Sequence, residues 1–130
     1  MGTTEQRYLR IGAVAERTEL SIKTIRHYDE VGLVTPSARS SGGFRLYTSA
    51  DIDRLLIIRS MKPLGYSLDQ MRRLLESLDL LADTATTPGQ RAQAAAYVSE
   101  CRTLAEDSCA KLRRHLAHAE EFTELLARHG

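Results

Sequence analysis

The C-terminal third of the chain carries the pattern that most constrains its fold. Thr87 followed by Pro88 is typical of a helix start, and from there to Arg128 nothing interrupts a helical spacing of apolar residues. A helix of that length would span about 60 Å at about 1.5 Å per residue, and it has no globule of its own to bury its apolar stripe. A break near Glu106–Ser108, which would give two packed helices, is the alternative.

An apolar stripe of this length needs a partner, and the simplest partner is a second copy of the same helix. We therefore predict a homodimer. The residues expected at its interface are Val98, Cys101, Ala105, Cys109, Leu112, Leu116, Ala119, Phe122 and Leu126.

The first part of the chain has the outline of two short helices joined by a tight turn. The apolar spacing predicts a helix over Leu9–Thr18. Ser21 is a suitable N-cap for a second helix, which would turn Ile22 and Ile25 inward. Gly32 stands where the C-terminus of that helix favours a left-handed residue. This arrangement is the outline of a helix-turn-helix.

A small two-stranded hairpin is predicted next. Ser40–Gly43 is a turn cluster, and the four residues after it alternate apolar with polar side chains. Because a lone hairpin is marginal in water, it must pack on the helices, and Phe44 and Leu46 are the expected contacts. The alternation then leaves Arg45 and Tyr47 on the other face.

Two further helices are predicted after the hairpin. Thr48 and Asp51 have the spacing of a capping box, and the third helix is expected to run to about Lys62. Ser67 would cap a fourth helix over roughly Leu68–Leu80.

The fold class that follows is mostly α. Residues 1–80 are expected to form a winged helix-turn-helix domain with a small β-hairpin wing, and residues 81–130 a linker and a long dimerisation helix. Apolar residues make up 42% of the chain, enough for a globular core. No apolar run reaches the length of a signal peptide or a membrane span, so a cytoplasmic protein is expected.

Polar side chains on the second helix and the hairpin are the donor types that nucleic-acid phosphates and base edges require. Arg26 is the leading candidate because it lies near mid-helix, opposite Ile25. Since the net charge is only +1, a binding face must come from clustering on the fold. The predicted DNA-binding residues are Lys23, Thr24, Arg26, His27, Tyr28, Arg39, Arg45, Tyr47 and Lys62. Solvated charge, and packing in the case of Tyr28, are the rival interpretations.

The two cysteines invite a sensor hypothesis. On one helix Cys101 and Cys109 would lie about 12 Å apart along the axis, too far for a disulfide or a shared zinc within one chain. They could meet across an antiparallel dimer, although small apolar fillers are the favoured interpretation. His115 and His118 lack an obvious third ligand. No catalytic arrangement and no glycine-rich phosphate loop is present, so we expect neither an enzyme nor a cofactor.

Four segments give the chain a family resemblance. They are Arg10–Ala15, Thr24–Leu33, Gly43–Tyr47 and Leu64–Leu68. In this order and spacing, Leu9–Glu76 closely resembles the DNA-binding domain of the MerR family of bacterial transcription regulators.

The resemblance implies a homodimer in which the long C-terminal helices pair antiparallel. It also implies that this dimer binds a promoter palindrome and bends and untwists an overlong spacer, acting on RNA polymerase indirectly through DNA shape. His27 stands where many members have tyrosine, and DNA binding is expected to be retained. The C-terminal part looks unlike the metal-sensing and drug-binding members, so the effector is left unidentified. A cysteine-based metal or redox sensor of the same fold and an architectural DNA-binding protein are the alternatives.

Overall fold

The computed structural model describes residues 7–130 and consists mainly of helices. The chain divides into two compact units, the first ending at Leu75 and the second beginning at Glu76. The elements in chain order are β1 (Leu9–Arg10), α1 (Ile11–Thr18), α2 (Ile22–Glu30), β2 (Ala38–Arg39), β3 (Arg45–Tyr47), α3 (Ser49–Met61), a 3₁₀ turn (Lys62–Leu64), α4 (Leu68–Ala82) and α5 (Pro88–Ala127).

The sheet has three antiparallel strands in the order β1-β3-β2, rather than the two predicted. Leu9 pairs with Tyr47 and Arg10 with Leu46, so the two residues assigned to the start of the first helix are a strand instead. The physical reason is that a two-stranded ribbon is marginal in water, and a third strand covers the open edge of β3.

Helix α2 has the ends that its sequence predicts. The Ser21 hydroxyl accepts a hydrogen bond from the Thr24 N–H at 3.0 Å. At the other end Gly32 has a φ of 71°, its N–H donates to the Asp29 carbonyl, and the Leu33 N–H donates to the Tyr28 carbonyl at 2.9 Å. These two bonds form a Schellman motif, which ends α2 and turns the chain toward the hairpin.

Helices α3 and α4 also begin where their capping residues predict. Thr48 and Asp51 form a complete capping box at α3. The Ser67 hydroxyl accepts from the Gln70 N–H at 3.1 Å at the start of α4. These bonds satisfy backbone N–H groups that have no partner within the helix, which is why such residues mark helix starts.

The core of the first unit is aliphatic and lies among the helices and the sheet. Its buried members are Val14, Ile25, Tyr28, Leu33, Val34, Tyr47, Ile52, Leu55, Ile58, Met61, Met71 and Leu75. Two residues expected to face inward do not, since Ile22 is 39% exposed and Phe44 is 57% exposed. The Arg59 guanidinium ties α3 to α1 by donating to the Thr18 carbonyl at 2.8 Å.

In the second unit α5 is one unbroken helix of 40 residues, so the alternative of a break near Glu106–Ser108 is wrong. Thr87 and Gln90 form its capping box, and Pro88 is the first helical residue, as predicted. The Arg91 guanidinium donates to the carbonyls of Leu81 and Asp83 at 2.9 and 2.8 Å, which fixes the preceding loop.

Burial along α5 changes abruptly. Ala94, Tyr97 and Cys101 are buried, whereas every residue from Lys111 to Gly130 is exposed. Within residues 7–130, no helix combines the length and the apolar character needed to cross a membrane.

Candidate nucleic-acid interface

The outward face of α2 carries cationic and imidazole side chains above a fully apolar inner face. Lys23, Arg26 and His27 are exposed, and their spacing places them on one side of the helix. Ile25, on the opposite side, has no exposed surface. The Thr24 hydroxyl is half-buried and accepts a hydrogen bond from the Ser21 hydroxyl at 2.8 Å, so it takes part in the helix cap. We call Lys23, Arg26 and His27 the recognition face.

The hairpin is joined to α2 by a shared carboxylate. Oδ2 of Asp29 accepts from the Nε of Arg45 at 2.6 Å and lies 3.4 Å from an Nη of Arg39. The second Nη of Arg39 donates to the Gly43 carbonyl at 3.1 Å, which braces the turn of the hairpin. The hydrogen bond to Asp29 raises the pKa of the Arg45 guanidinium above its ordinary value. The two hairpin arginines predicted to contact DNA are therefore oriented by a residue of α2.

A cleft of about 370 Å³ lies between α2, the hairpin and the start of α1. Three arginines contribute to its walls, Arg10, Arg26 and Arg45. The remaining lining residues are Ile11, Gly12, Ala13, Gly43 and Phe44. The guanidinium carbon of Arg10 lies 4.9 Å from the centroid of the Phe44 ring, a cation–π contact. We call this the arginine cleft.

Arg10, Asp29 and Phe44 are candidate functional residues that the sequence analysis missed. Arg10 reaches the cleft because β1 pairs with β3, and that pairing joins positions far apart in the chain. Asp29 carries no signal of its own in the sequence, and the alternation of the hairpin predicts Phe44 as a packing residue. The alternation of Phe44–Tyr47 carried a usable signal, but it was read with the opposite facing.

Tyr47 was predicted to face DNA, and this prediction is wrong. Its side chain has no exposed surface, while Phe44 three residues earlier is exposed. On β3 Tyr47 is paired with Leu9, and its side chain lies on the face of the sheet that meets the core. Its hydroxyl is buried with no hydrogen-bond partner among the described residues. Burial raises the pKa of the Tyr47 phenol above 10.0, and the negative charge of Asp29 adds to the shift.

Tyr28 is 3% exposed and belongs to the core, in agreement with the packing interpretation. Burial raises the pKa of its phenol as well. Lys62 is exposed at the end of α3 and does not line the arginine cleft. Contacts of either residue with phosphate stay predictions.

The cysteines occupy different environments. Cys101 is 7% exposed and Cys109 is exposed, and neither forms a disulfide. Cys101 therefore has little surface left to offer a second copy of the chain, and its place at the dimer interface stays a prediction. Among residues 7–130, no three His, Cys, Asp or Glu side chains are grouped to hold a metal ion.

The other predicted interface positions follow the burial gradient of α5. Val98 and Ala105 are half-buried, whereas Cys109, Leu112, Leu116, Ala119, Phe122 and Leu126 are exposed. Leu112, Leu116, Phe122 and Leu126 are each at least 55% exposed. We call these four residues the apolar stripe of α5. Leu104 and Leu125 are also exposed and were not predicted.

Solved structures with a similar fold are transcription regulators. One of them is HiNmlR, a MerR family regulator lacking the sensor domain, which was solved bound to promoter DNA. It aligns over 88% of this chain and 86% of its own, at a TM-score of 0.69 and 23% identity. This likeness shows the fold. PbrR691 from Ralstonia metallidurans CH34, solved with lead(II), aligns over 83% of this chain and 82% of its own, at a TM-score of 0.54 and 32% identity.

Among sequence relatives, the HTH-type transcriptional regulator ZntR of Escherichia coli K12 is 44% identical over 66 residues, which are 51% of this chain and 47% of ZntR. The chain spans less than half the length of the curated relatives that it matches. Residues 9–78, more than half of the chain, match the family described as MerR HTH family regulatory protein. The chain therefore belongs to the MerR family of helix-turn-helix regulatory proteins.

Proposed function

We propose that this chain is a sequence-specific DNA-binding transcription regulator that acts as a homodimer on a promoter palindrome. The observation that carries the proposal is the recognition face, which adjoins the arginine cleft through Arg26, a residue common to both. One cationic surface of this kind can contact base edges and the phosphate backbone of the same duplex.

Helix α2 is the element that enters the major groove. Its N-terminal half carries Lys23 and Arg26, and base contacts in helix-turn-helix proteins concentrate in this part of the recognition helix. A guanidinium can donate two hydrogen bonds to O6 and N7 of guanine, which makes Arg26 the strongest candidate for sequence readout. Arg39 and Arg45 on the hairpin contact phosphates, which set affinity and register.

The second copy docks on the apolar stripe of α5. Four large apolar side chains spaced along one helix would otherwise stay in water, and burying each one contributes about 1.5–3 kcal/mol. An antiparallel pair of α5 helices presents two recognition faces to two half-sites. A palindromic operator matches that two-fold symmetry.

On the promoter, the dimer bends and untwists an overlong spacer, and RNA polymerase responds to the realigned elements without any need for direct contact. Family membership supports this mechanism, and HiNmlR, which shares the fold, was solved bound to promoter DNA. The deformation energy of the duplex would then contribute to specificity.

Operator selection from a random duplex library, with the purified protein, tests the proposal. An enriched palindrome bound by two copies of the chain is the expected result. Arg26→Ala should abolish most of the preference for that palindrome, while Arg17→Ala, which removes an exposed arginine outside the recognition face, should leave it intact. Failure to enrich any sequence, or an unchanged preference in Arg26→Ala, would contradict the proposal.

A further inference from the structure

Arg10 lies outside the helix-turn-helix and the hairpin in sequence, yet it forms part of the wall of the arginine cleft. Two interactions fix its position. Its backbone pairs with Leu46 in the sheet, and its guanidinium lies over the face of Phe44. A planar guanidinium that stacks on a ring keeps its edge N–H groups available to an acceptor.

The cleft has an excess of positive charge. Of its three arginines, only Arg45 has a carboxylate partner within residues 7–130, namely Asp29. Arg10 and Arg26 carry no ion pair in the part of the chain that the structure describes. Like charges that line one cleft repel each other unless an anion lies between them, and guanidinium groups match the oxygens of phosphate in geometry.

We propose that Arg10 binds a backbone phosphate of the DNA duplex in the arginine cleft, and that Phe44 holds its guanidinium in place. The inference rests on the proposed function, since the phosphate is one of the duplex that α2 reads. A duplex phosphate is favoured over a free anion because Arg26 belongs to both the cleft and the recognition face. DNA seated on that face brings its own backbone to the cleft.

The test is a series of operator titrations at increasing salt concentration, with the full chain. Arg10→Ala should weaken operator binding by the dimer about a hundredfold, because each of the two protomers loses a charge-assisted hydrogen bond worth about tenfold. The slope of log affinity against log salt should become shallower by about 1.8, because each of the two protomers loses one phosphate contact worth about 0.9. Arg17→Ala, which removes the same charge at an exposed position of α1 away from the cleft, should change neither quantity.

Two further variants separate the charge from the stacking. Arg10→Lys keeps a cation, so it should keep the salt slope and lose part of the affinity. Phe44→Leu keeps Arg10 and removes only the ring, so it should also weaken binding with little change in slope. If Arg10→Ala fails to fold, full operator affinity in both Arg10→Lys and Phe44→Leu would overturn the inference.

Other results would distinguish an error in the role of Arg10 from an error in the proposed function, and a duplex phosphate from a free anion. Suppose that the unaltered chain binds its operator tightly and that Arg10→Ala and Arg17→Ala show equal affinity and equal salt slope. That result would overturn the role of Arg10 and leave the proposed function standing. Lack of binding by the unaltered chain to every selected duplex would instead overturn the proposed function. Calorimetry with inorganic phosphate should show no saturable binding, and saturable binding lost in Arg10→Ala would identify a free anion as the occupant.

Discussion

The first unit and the last half of α5 contain similar apolar residues, but the first unit buries them and α5 leaves them exposed. In the first unit Val14, Ile25, Leu55 and Ile58 have no exposed surface. Over residues 111–130, by contrast, the leucines and Phe122 lie in solvent on a helix that is equally regular. The first region covers its own apolar surface and can be stable as a single copy. In the second region the backbone forms its helical hydrogen bonds, but the apolar side chains have nothing within the chain to pack against. Amphipathic helices of this kind owe most of their stability to packing against a partner.

The strongest way to break this comparison is to place a charge on the apolar stripe. Leu116→Asp should convert dimers to monomers, because an aspartate cannot be buried unpaired between two helices. Operator affinity should fall by about a hundredfold or more, since two linked half-sites gain that much or more from avidity. Analytical ultracentrifugation and operator titration measure the two effects.

A matched control lies one residue further along the same helix. Since residues of an α-helix advance by about 100° each, the exposed Ala117 lies about 100° or more from each of the four stripe residues, and Ala117→Asp, which adds the same charge, should leave the dimer intact. A dimer that survives Leu116→Asp would contradict the interface proposed for α5.

The next effect concerns the core of the first unit. Leu55→Ala removes a side chain with no exposed surface and should lower the free energy of unfolding by about 2–5 kcal/mol. Urea unfolding followed by tyrosine fluorescence measures it, and the loss should not depend on protein concentration. Leu112→Ala is the same chemical change at a side chain that is 57% exposed. It should lower the free energy of unfolding mainly by weakening the dimer. A loss equal to that of Leu55→Ala and independent of protein concentration would contradict the difference between the two regions.

Ion pairs sharpen the same contrast. Asp29→Asn removes the partly buried carboxylate that orients Arg45, and it should lower the free energy of unfolding by about 1–2 kcal/mol. Operator binding should weaken too, because Arg45 loses its orientation. Glu106→Gln breaks the pair with Arg102 on α5, whose side chains are 70% and 80% exposed, and should have little effect. Equal losses from the two variants in urea unfolding would refute this difference.

The smallest expected effect concerns Tyr47. Its buried hydroxyl lacks a described hydrogen-bond partner, so Tyr47→Phe should leave stability unchanged or raise it by about 1 kcal/mol. The folded-state pKa of this phenol lies above 10.0, so folding favours its protonated form. The stability that the phenol contributes is therefore complete below pH 10.0 and is lost as the pH rises through the folded-state pKa. Tyr47→Phe should lose less stability than the unaltered chain above pH 10.0, and an identical alkaline loss in urea unfolding would contradict this account.

Features set by a few neighbouring residues were predictable from the sequence. Ser21, Thr48 and Thr87 each cap a helix because a hydroxyl oxygen must reach an N–H only two or three residues away. Gly32 ends α2 because its left-handed conformation disfavours residues with a Cβ. The continuity of α5 follows from an uninterrupted pattern of the same local kind.

Features set by distant pairing were not predictable in this way. Strand β1 has only two residues, and nothing in Leu9–Arg10 distinguishes a strand from a first helical turn until β3 lies beside it. The facing of β3 was inverted for the same reason, since alternation defines two faces without saying which one meets the core. The sequence alone does not indicate Arg10 as a candidate site residue, because its place in the cleft depends on that pairing.

Because α5 is unbroken, the number of residues between two of its positions sets the angle between the helix faces on which they lie. One inserted residue would rotate everything after it by about 100° relative to everything before it. One residue inserted between Cys101 and Leu112 would thus change the angle about the helix axis between the exposed apolar stripe and the buried face at Ala94 and Tyr97. Seven inserted residues would restore the angle to within about 20°. Sequence changes in this stretch should therefore be tolerated as substitutions, or as insertions and deletions of about two helical turns, and rejected at the lengths between.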